Sequence, residues 1–407
     1  MGFRGTRGDS LASPSGIPAM YSTGDLSTVP SNETKITASD GASGDQFGYS
    51  VAVGSGRICV GAYGDDDAGS DSGSAYIFDL DGTELTKITA SDATIVDYFG
   101  WSVAVGSGRI VVGADSDDDA GSGSGSAYIF DLDGNELTKI TASDGATFDH
   151  FGFSVAVGSG RIVVGAYQDD DTETDSGSAY IFDLDGNELT KITASDGVAN
   201  DEFGFSVAVG SGRIVVGAHR DDDAGSDSGS AYIYDLDGNE LAKITASDGA
   251  TFDSFGRSVA VGSGRIVVGA WRDDDAGFDS GSAYIFDLDG TELTKITASD
   301  GAGNDRFGES VAIGSGRIVV GAFQDDDNGS SSGSAYIFDL DGNELTKITA
   351  SDAAGGDNFG DSVAVGSGRI VVGAYGDDDA GSDYGSAYIW ETPDVVTPYD
   401  VQDWERG

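Results

Sequence analysis

Residues 35–86 read KITASDGASGDQFGYSVAVGSGRICVGAYGDDDAGSDSGSAYIFDLDGTELT. The same 52-residue unit restarts, without insertion or deletion, at Lys87, Lys139, Lys191, Lys243, Lys295 and Lys347. A fixed period of this length marks a repeat architecture, in which each unit buries its apolar surface against its neighbours. The seven copies also act as controls for one another. What stays constant serves the scaffold, and what varies is free for other work.

Each unit divides into four short strands. Phe47-Gly48 opens the first, and Ser50-Val51-Ala52-Val53 alternates as a strand does. Gly54-Ser55-Gly56 makes a tight turn into the second strand, Arg57 to Ala62. An Asp-rich loop, Asp65 to Gly73, leads to the third strand, Ser74 to Leu80. Asp81-Gly82 is a strong two-residue hairpin signal that returns the chain through Glu84 to Thr89 as the fourth strand. Residues 92–97 then cross to the next unit.

The hairpin turns call for antiparallel pairing, which disfavours a parallel β-helix. A four-stranded sheet of this size cannot bury both of its faces alone, but radial packing of such sheets covers each by its neighbours. The expected fold is therefore all-β, a seven-bladed β-propeller of four-stranded antiparallel blades. The seventh unit stops after Tyr388-Ile389-Trp390, where Glu391-Thr392-Pro393 replaces the hairpin. At the front, Glu33 to Ser39 reads as a fourth strand with no third strand before it. It is predicted to complete blade seven and remove a bare sheet edge. The chain then divides into an arm (1–31), a propeller (32–392) and a tail (393–407).

Composition narrows the function. The formal charge of −50 argues against a nucleic-acid partner, since a polyanion is repelled before contact. No apolar run approaches the ~18 residues of a membrane span, so membrane insertion is not expected. Cys59 is alone and stands where the other six copies carry Val, which reads as a small buried hydrophobe. The two histidines, His150 and His219, fall in different copies, and no nucleophile has an evident base. Catalysis is not expected.

Phe47-Gly48 followed by Gly61-Ala62 recurs in every unit, and this pattern resembles the FG-GAP repeat, the blade unit of integrin alpha-chain propellers. The resemblance covers roughly Lys35 to Trp390 and implies a seven-bladed propeller used for adhesion or recognition. Two features depart from it. The family's Pro is replaced by Tyr63, Asp115, Tyr167, His219, Trp271, Phe323 and Tyr375. Its calcium loop, an Asp-x-Asp-x-Asp-Gly pattern between strands one and two, is absent; Gly54-Ser55-Gly56-Arg57 is too short to cage an ion. The family's calcium sites therefore do not carry over.

In a propeller the two-to-three loops and the crossings between blades emerge on one face. Asp40, Asp45, Asp65, Asp66 and Asp67 recur in all seven copies, which places 35 aspartates on that rim. A sixth, Asp71, recurs as Asp175, Asp227, Asp279 and Asp383, while Gly123 and Ser331 interrupt the series. Asp40 and Asp45 read as turn-formers. Asp65, Asp67 and Asp71 have the alternating-oxygen spacing that hard cations use, and a divalent ion would relieve their repulsion. The same holds for Asp169, Asp171 and Asp175; Asp221, Asp223 and Asp227; Asp273, Asp275 and Asp279; and Asp377, Asp379 and Asp383. Calcium ligation and a solvated acidic surface are both open readings.

Differences between copies fall in residues 41–46 of the unit, the position after Phe-Gly and the pair after Gly-Ala, all on the same rim. Of 21 basic residues, 14 are the invariant Lys35 and Arg57 series and three lie in the end segments. The remaining four, Arg220, Arg257, Arg272 and Arg306, gather in units four to six. With His219 and Trp271 they form the candidate ligand-binding patch, because Arg and Trp dominate recognition hot spots. The leading expectation is a surface-displayed recognition or adhesion module that binds a protein or glycan on the acidic rim. Without the apolar stretch of a secretory leader, release by lysis as a virion (phage) protein is the expected route to that surface. The arm and tail would hold an anchoring partner. The alternative is a purely structural decoration protein with a calcium-binding or solvating rim.

Overall fold

The computed structural model describes residues 31–170 and 173–392; residues 1–30 of the arm, the tail (393–407), Asp171 and Thr172 lie outside the described residues. The described chain forms seven four-stranded antiparallel sheets and no helix. Blade one consists of Ser50–Gly54, Arg57–Ala62, Ser74–Phe78 and Glu84–Ile88, paired in sequence order. The other blades repeat this order at the same spacing, so the chain is a seven-bladed β-propeller.

Blade seven is completed from the front of the chain. Ser31–Ile36 pairs antiparallel with Ser386–Glu391, in the register Thr34 to Ile389, Lys35 to Tyr388 and Ile36 to Ala387. The seam between blades seven and one carries the contacts found at other junctions. Ser362 Oγ donates to the Gly48 carbonyl at 2.8 Å, as Ser50 Oγ does to Gly100.

The core lies between blades. Ile58 and Val60 pack with Val371 and Ile389 of blade seven, while Cys59 and Ile77, on the opposite face, pack with Ile110 and Val112 of blade two. Because both faces are covered, the second and third strands read as continuous apolar runs. Phe47, fully buried, meets Tyr76 and Phe78 edge-on at centroid distances of 5.4 and 5.9 Å.

The glycines of the repeated motifs serve close approach. A Cβ on Gly61 would lie 2.0 Å from the Gly100 carbonyl oxygen, and one on Gly48 2.2 Å from that of Ser386. Gly48 also has φ +95°, which glycine alone adopts without strain. That left-handed turn explains a difference from expectation: in blade one the first strand begins at Ser50, and Phe47 instead bridges Gly385 of the preceding blade. The first strands surround an axial channel of about 240 Å³ walled by Val51, Ala52, Val53 and their counterparts.

Candidate functional site: the variable face of the ring

The invariant chemistry of the rim is a lysine cage. Lys87, from the fourth strand of blade one, places Nζ 2.9 Å from Asp40, 2.8 Å from Asp65 and 2.5 Å from Asp67. The Tyr76 hydroxyl lies 2.8 Å from Asp40 and 2.9 Å from Asp65, and the ammonium stands 5.2 Å from the Tyr76 ring centroid. Burial works against the charged ammonium, but hydrogen bonds to the three carboxylates outweigh it and raise the Lys87 pKa. Lys139, Lys243, Lys295 and Lys347 repeat the arrangement, Lys191 holds Asp144 and Asp169, and Lys35 closes it in blade seven through Asp352, Asp377 and Asp379.

The cage bears on calcium. Carboxylate oxygens of Asp248, Asp273 and Asp275 lie within 4.8 Å of one another, as do those of Asp352, Asp377 and Asp379. The point they share is filled by Lys295 or Lys35. Calcium needs six to eight oxygens and would have to displace a triply bonded ammonium. The residues present therefore do not fit the ion. Asp71, grouped with Asp65 and Asp67 on spacing, does not join them. Its amide donates to Asp66 Oδ1 at 2.8 Å, and its backbone turns left-handed at φ +53°. Asp175, Asp227, Asp279 and Asp383 make the same turn. Asp40, read from sequence as a turn-former, is the third member instead. Asp45 does cap a turn, accepting the Ala42 amide at 2.6 Å.

The residues that differ between copies converge on the mouth of the axial channel. Those following Phe-Gly form a closed series: Tyr49 to Trp101 at 4.7 Å between centroids, Trp101 to Phe153 at 5.6 Å, and Phe153 to Phe205 at 4.8 Å. The Arg257 guanidinium then lies 4.4 Å from the Phe205 centroid and donates through Nε and Nη2 to Glu309 Oε1 at 2.8 and 2.7 Å. Asp361 follows, its carboxyl pushed up to about 7 by burial and by the neighbouring Glu309 charge, against the pull of Arg257. One half of the mouth is aromatic and the other charged.

Outside this ring a cleft of about 370 Å³ opens between blades four and five. Blade four contributes His219, Arg220 and Asp227 to its walls; Arg257, Trp271 and Arg272 come from blade five, with Ser254 just before its first strand. Two guanidinium groups stand against the Trp271 ring, Arg272 at 4.2 Å and Arg306 at 4.4 Å from its centroid. Glu202, buried behind the wall, bonds Arg220 at 2.8 Å and approaches His219 Nε2 at 3.6 Å. Burial, joined by the charges of Arg257, Arg220 and Arg272, pushes the His219 pKa down, so its ring is neutral at pH 7.

A family model described as the FG-GAP repeat matches residues 30–78, 83–130, 135–182, 187–234, 239–286, 291–338 and 343–390. The chain belongs to the FG-GAP repeat family. No curated protein matches it.

In this FG-GAP propeller the six residues singled out from sequence fall together. Five line the cleft, and Arg306 stands against the ring of Trp271. Sequence reasoning missed the acids that organise them. Glu202 and Glu309 were hidden among a large excess of carboxylates, yet both occupy variable positions, which was the available signal. His150 likewise meets a carboxylate, Asp115, at 3.3 Å in blades two and three.

Proposed function

We propose that this FG-GAP propeller is a non-enzymatic recognition module that binds a ligand on the face bearing the variable residues. One observation carries the reading: positions that differ among near-identical blades assemble into a single asymmetric surface around the channel mouth and the adjoining cleft. Exchange of Tyr, Trp and Arg on a fixed frame is what recognition surfaces look like. A passive spacer has no use for a half-buried Arg257–Glu309 pair beside an aromatic arc. Display on a virion or other surface, with the terminal segments as anchors to a partner, belongs to the same proposal. The caged ammonium groups supply the rim's positive charge in place of calcium, so ligand binding is expected without added metal. The test is a glycan array and a cell-binding assay on the wild type and on a Trp101→Ala, Phe153→Ala double variant that remains folded. Loss of binding by any surface variant supports the module; identical binding by variants of both the mouth and the cleft would reject it.

A further inference from the structure

We propose that the cleft between blades four and five holds an isolated oxyanion, the carboxylate or sulfate ester of an acidic sugar at the end of an otherwise neutral glycan. The inference rests on the recognition reading above and names the chemistry of its ligand.

Three arginines and one acid, Asp227, line the cleft, and Arg306 stands against the ring of its Trp271. Arg220 is matched by Glu202 and Arg257 by Glu309. Neither Arg272 nor Arg306 makes a side-chain hydrogen bond or an ion pair among the described residues, and the Nε of each is buried without a partner. In a chain of net charge −50, leaving two guanidinium groups uncompensated calls for a reason. Other polar atoms at the cleft are unmatched as well. Trp271, 8 % exposed, has its Nε1 donor unpartnered, and His219, 7 % exposed, has Nδ1 unpartnered. Buried polar atoms without partners are rare because each carries its desolvation cost unrelieved. An oxyanion in the cleft would accept from the Arg272 fork and the Trp271 N–H.

The surroundings set the size and kind of ligand. A cleft of about 370 Å³ is at the small end of ligand sites and admits one small group. The acidic rim on every side repels a polyanion, which favours a single terminal charge. Trp271 is 8 % exposed and already carries Arg272 and Arg306 against its ring, so it cannot be the stacking surface for a sugar. Phe252 is the candidate: it is 52 % exposed and stands two residues before Ser254 of the cleft wall, whose hydroxyl donates to the Phe252 backbone carbonyl at 3.4 Å. An exposed aromatic residue adjoining the wall of an oxyanion site favours a sugar ring bearing an acid group over a bare ion.

Calorimetric titration would use a glucuronate-terminated disaccharide, its neutral glucose counterpart, a sulfated disaccharide, inorganic phosphate and a short peptide with a free carboxyl terminus. At least one acidic sugar is expected to bind tenfold or more tightly than the neutral one. Arg272→Gln should lose about tenfold, and Phe252→Ala should weaken the sugar but not phosphate. Arg317→Gln, outside the cleft, should leave binding unchanged. Equal binding of acidic and neutral sugars would overturn the oxyanion while leaving the recognition reading intact. Tighter binding of phosphate or the peptide than of either acidic sugar would overturn the saccharide. No binding of any acidic probe would remove the cleft as a site, with the glycan array still deciding the module as a whole.

Discussion

The side chain that governs this surface is a lysine. Asp65 is almost fully buried and would stand unpaired without Lys87. Breaking a buried pair by removing one partner typically costs about 3–5 kcal/mol, and the partial exposure of the Lys87 ammonium puts Lys87→Met near the lower end. Urea unfolding of the variant should show a loss of about 3 kcal/mol. The same change leaves Asp40, Asp65 and Asp67 converging on a space the size of a cation. Millimolar calcium should therefore raise the melting temperature of Lys87→Met while leaving the wild type unmoved. A calcium-dependent rise in the wild type would show that the lysine yields to metal, against its triply bonded position.

At the scale of the loop, two sets of aspartates pull in opposite directions as pH changes. Asp45, Asp201, Asp253, Asp305 and Asp357 are pushed up to about 6 by burial, only partly offset by the amides they accept. With a folded pKa above the unfolded 3.8, the native state binds the extra protons between those values, so these groups add stability as pH falls from 7 toward 4. Asp40 and its counterparts are held below 3.8, because the hydrogen bonds from lysine and tyrosine outweigh the burial that opposes ionisation. Their contribution is complete above 3.8 and is lost as pH falls through the lower folded values. A series of melts should accordingly peak between about pH 4 and 6. A melting temperature falling steadily from pH 7.5 to 5 would contradict this assignment. The two-to-three loop also shows where sequence reading stops. Spacing correctly marked Asp65 and Asp67 as convergent. It could not show that the cation would come from the fourth strand, 20 residues beyond Asp67, because strand pairing and not sequence distance brings Lys87 there.

For the whole molecule, closure decides cooperativity. The strand count, the blade order and the joining of a front strand to blade seven were legible because hairpin turns and an orphan fourth strand leave few topologies, although that strand runs over Ser31–Ile36 where the sequence suggests Glu33 to Ser39. The acids that hold the arginines were not, since nothing local distinguishes Glu202 or Glu309 from the solvated carboxylates around them. Deleting residues 31–36 would strip the pairing from Ser386–Glu391 and expose Ile389 of the blade-seven core. A loss of about 4 kcal/mol for that burial and bonding corresponds to roughly 5 °C in a domain of this size. Differential scanning calorimetry should also show the transition broadening. An unchanged, sharp transition would mean that six blades and a fragment suffice.

The repeated seams have one more consequence. Six of the seven junctions share the serine-to-glycine contact, and at the other Ser310 Oγ accepts the Val363 amide, so neighbouring blades are joined in much the same way around the ring. What most distinguishes one blade order from another is therefore the surface it builds. A cleft spanning two adjacent blades behaves as a two-unit cassette, so transplanting units four to six to another part of the circle should carry the arginine-lined site with it. Shuffling the same units apart would erase the site and separate Arg257 from Glu309, the pair that crosses from blade five to blade six.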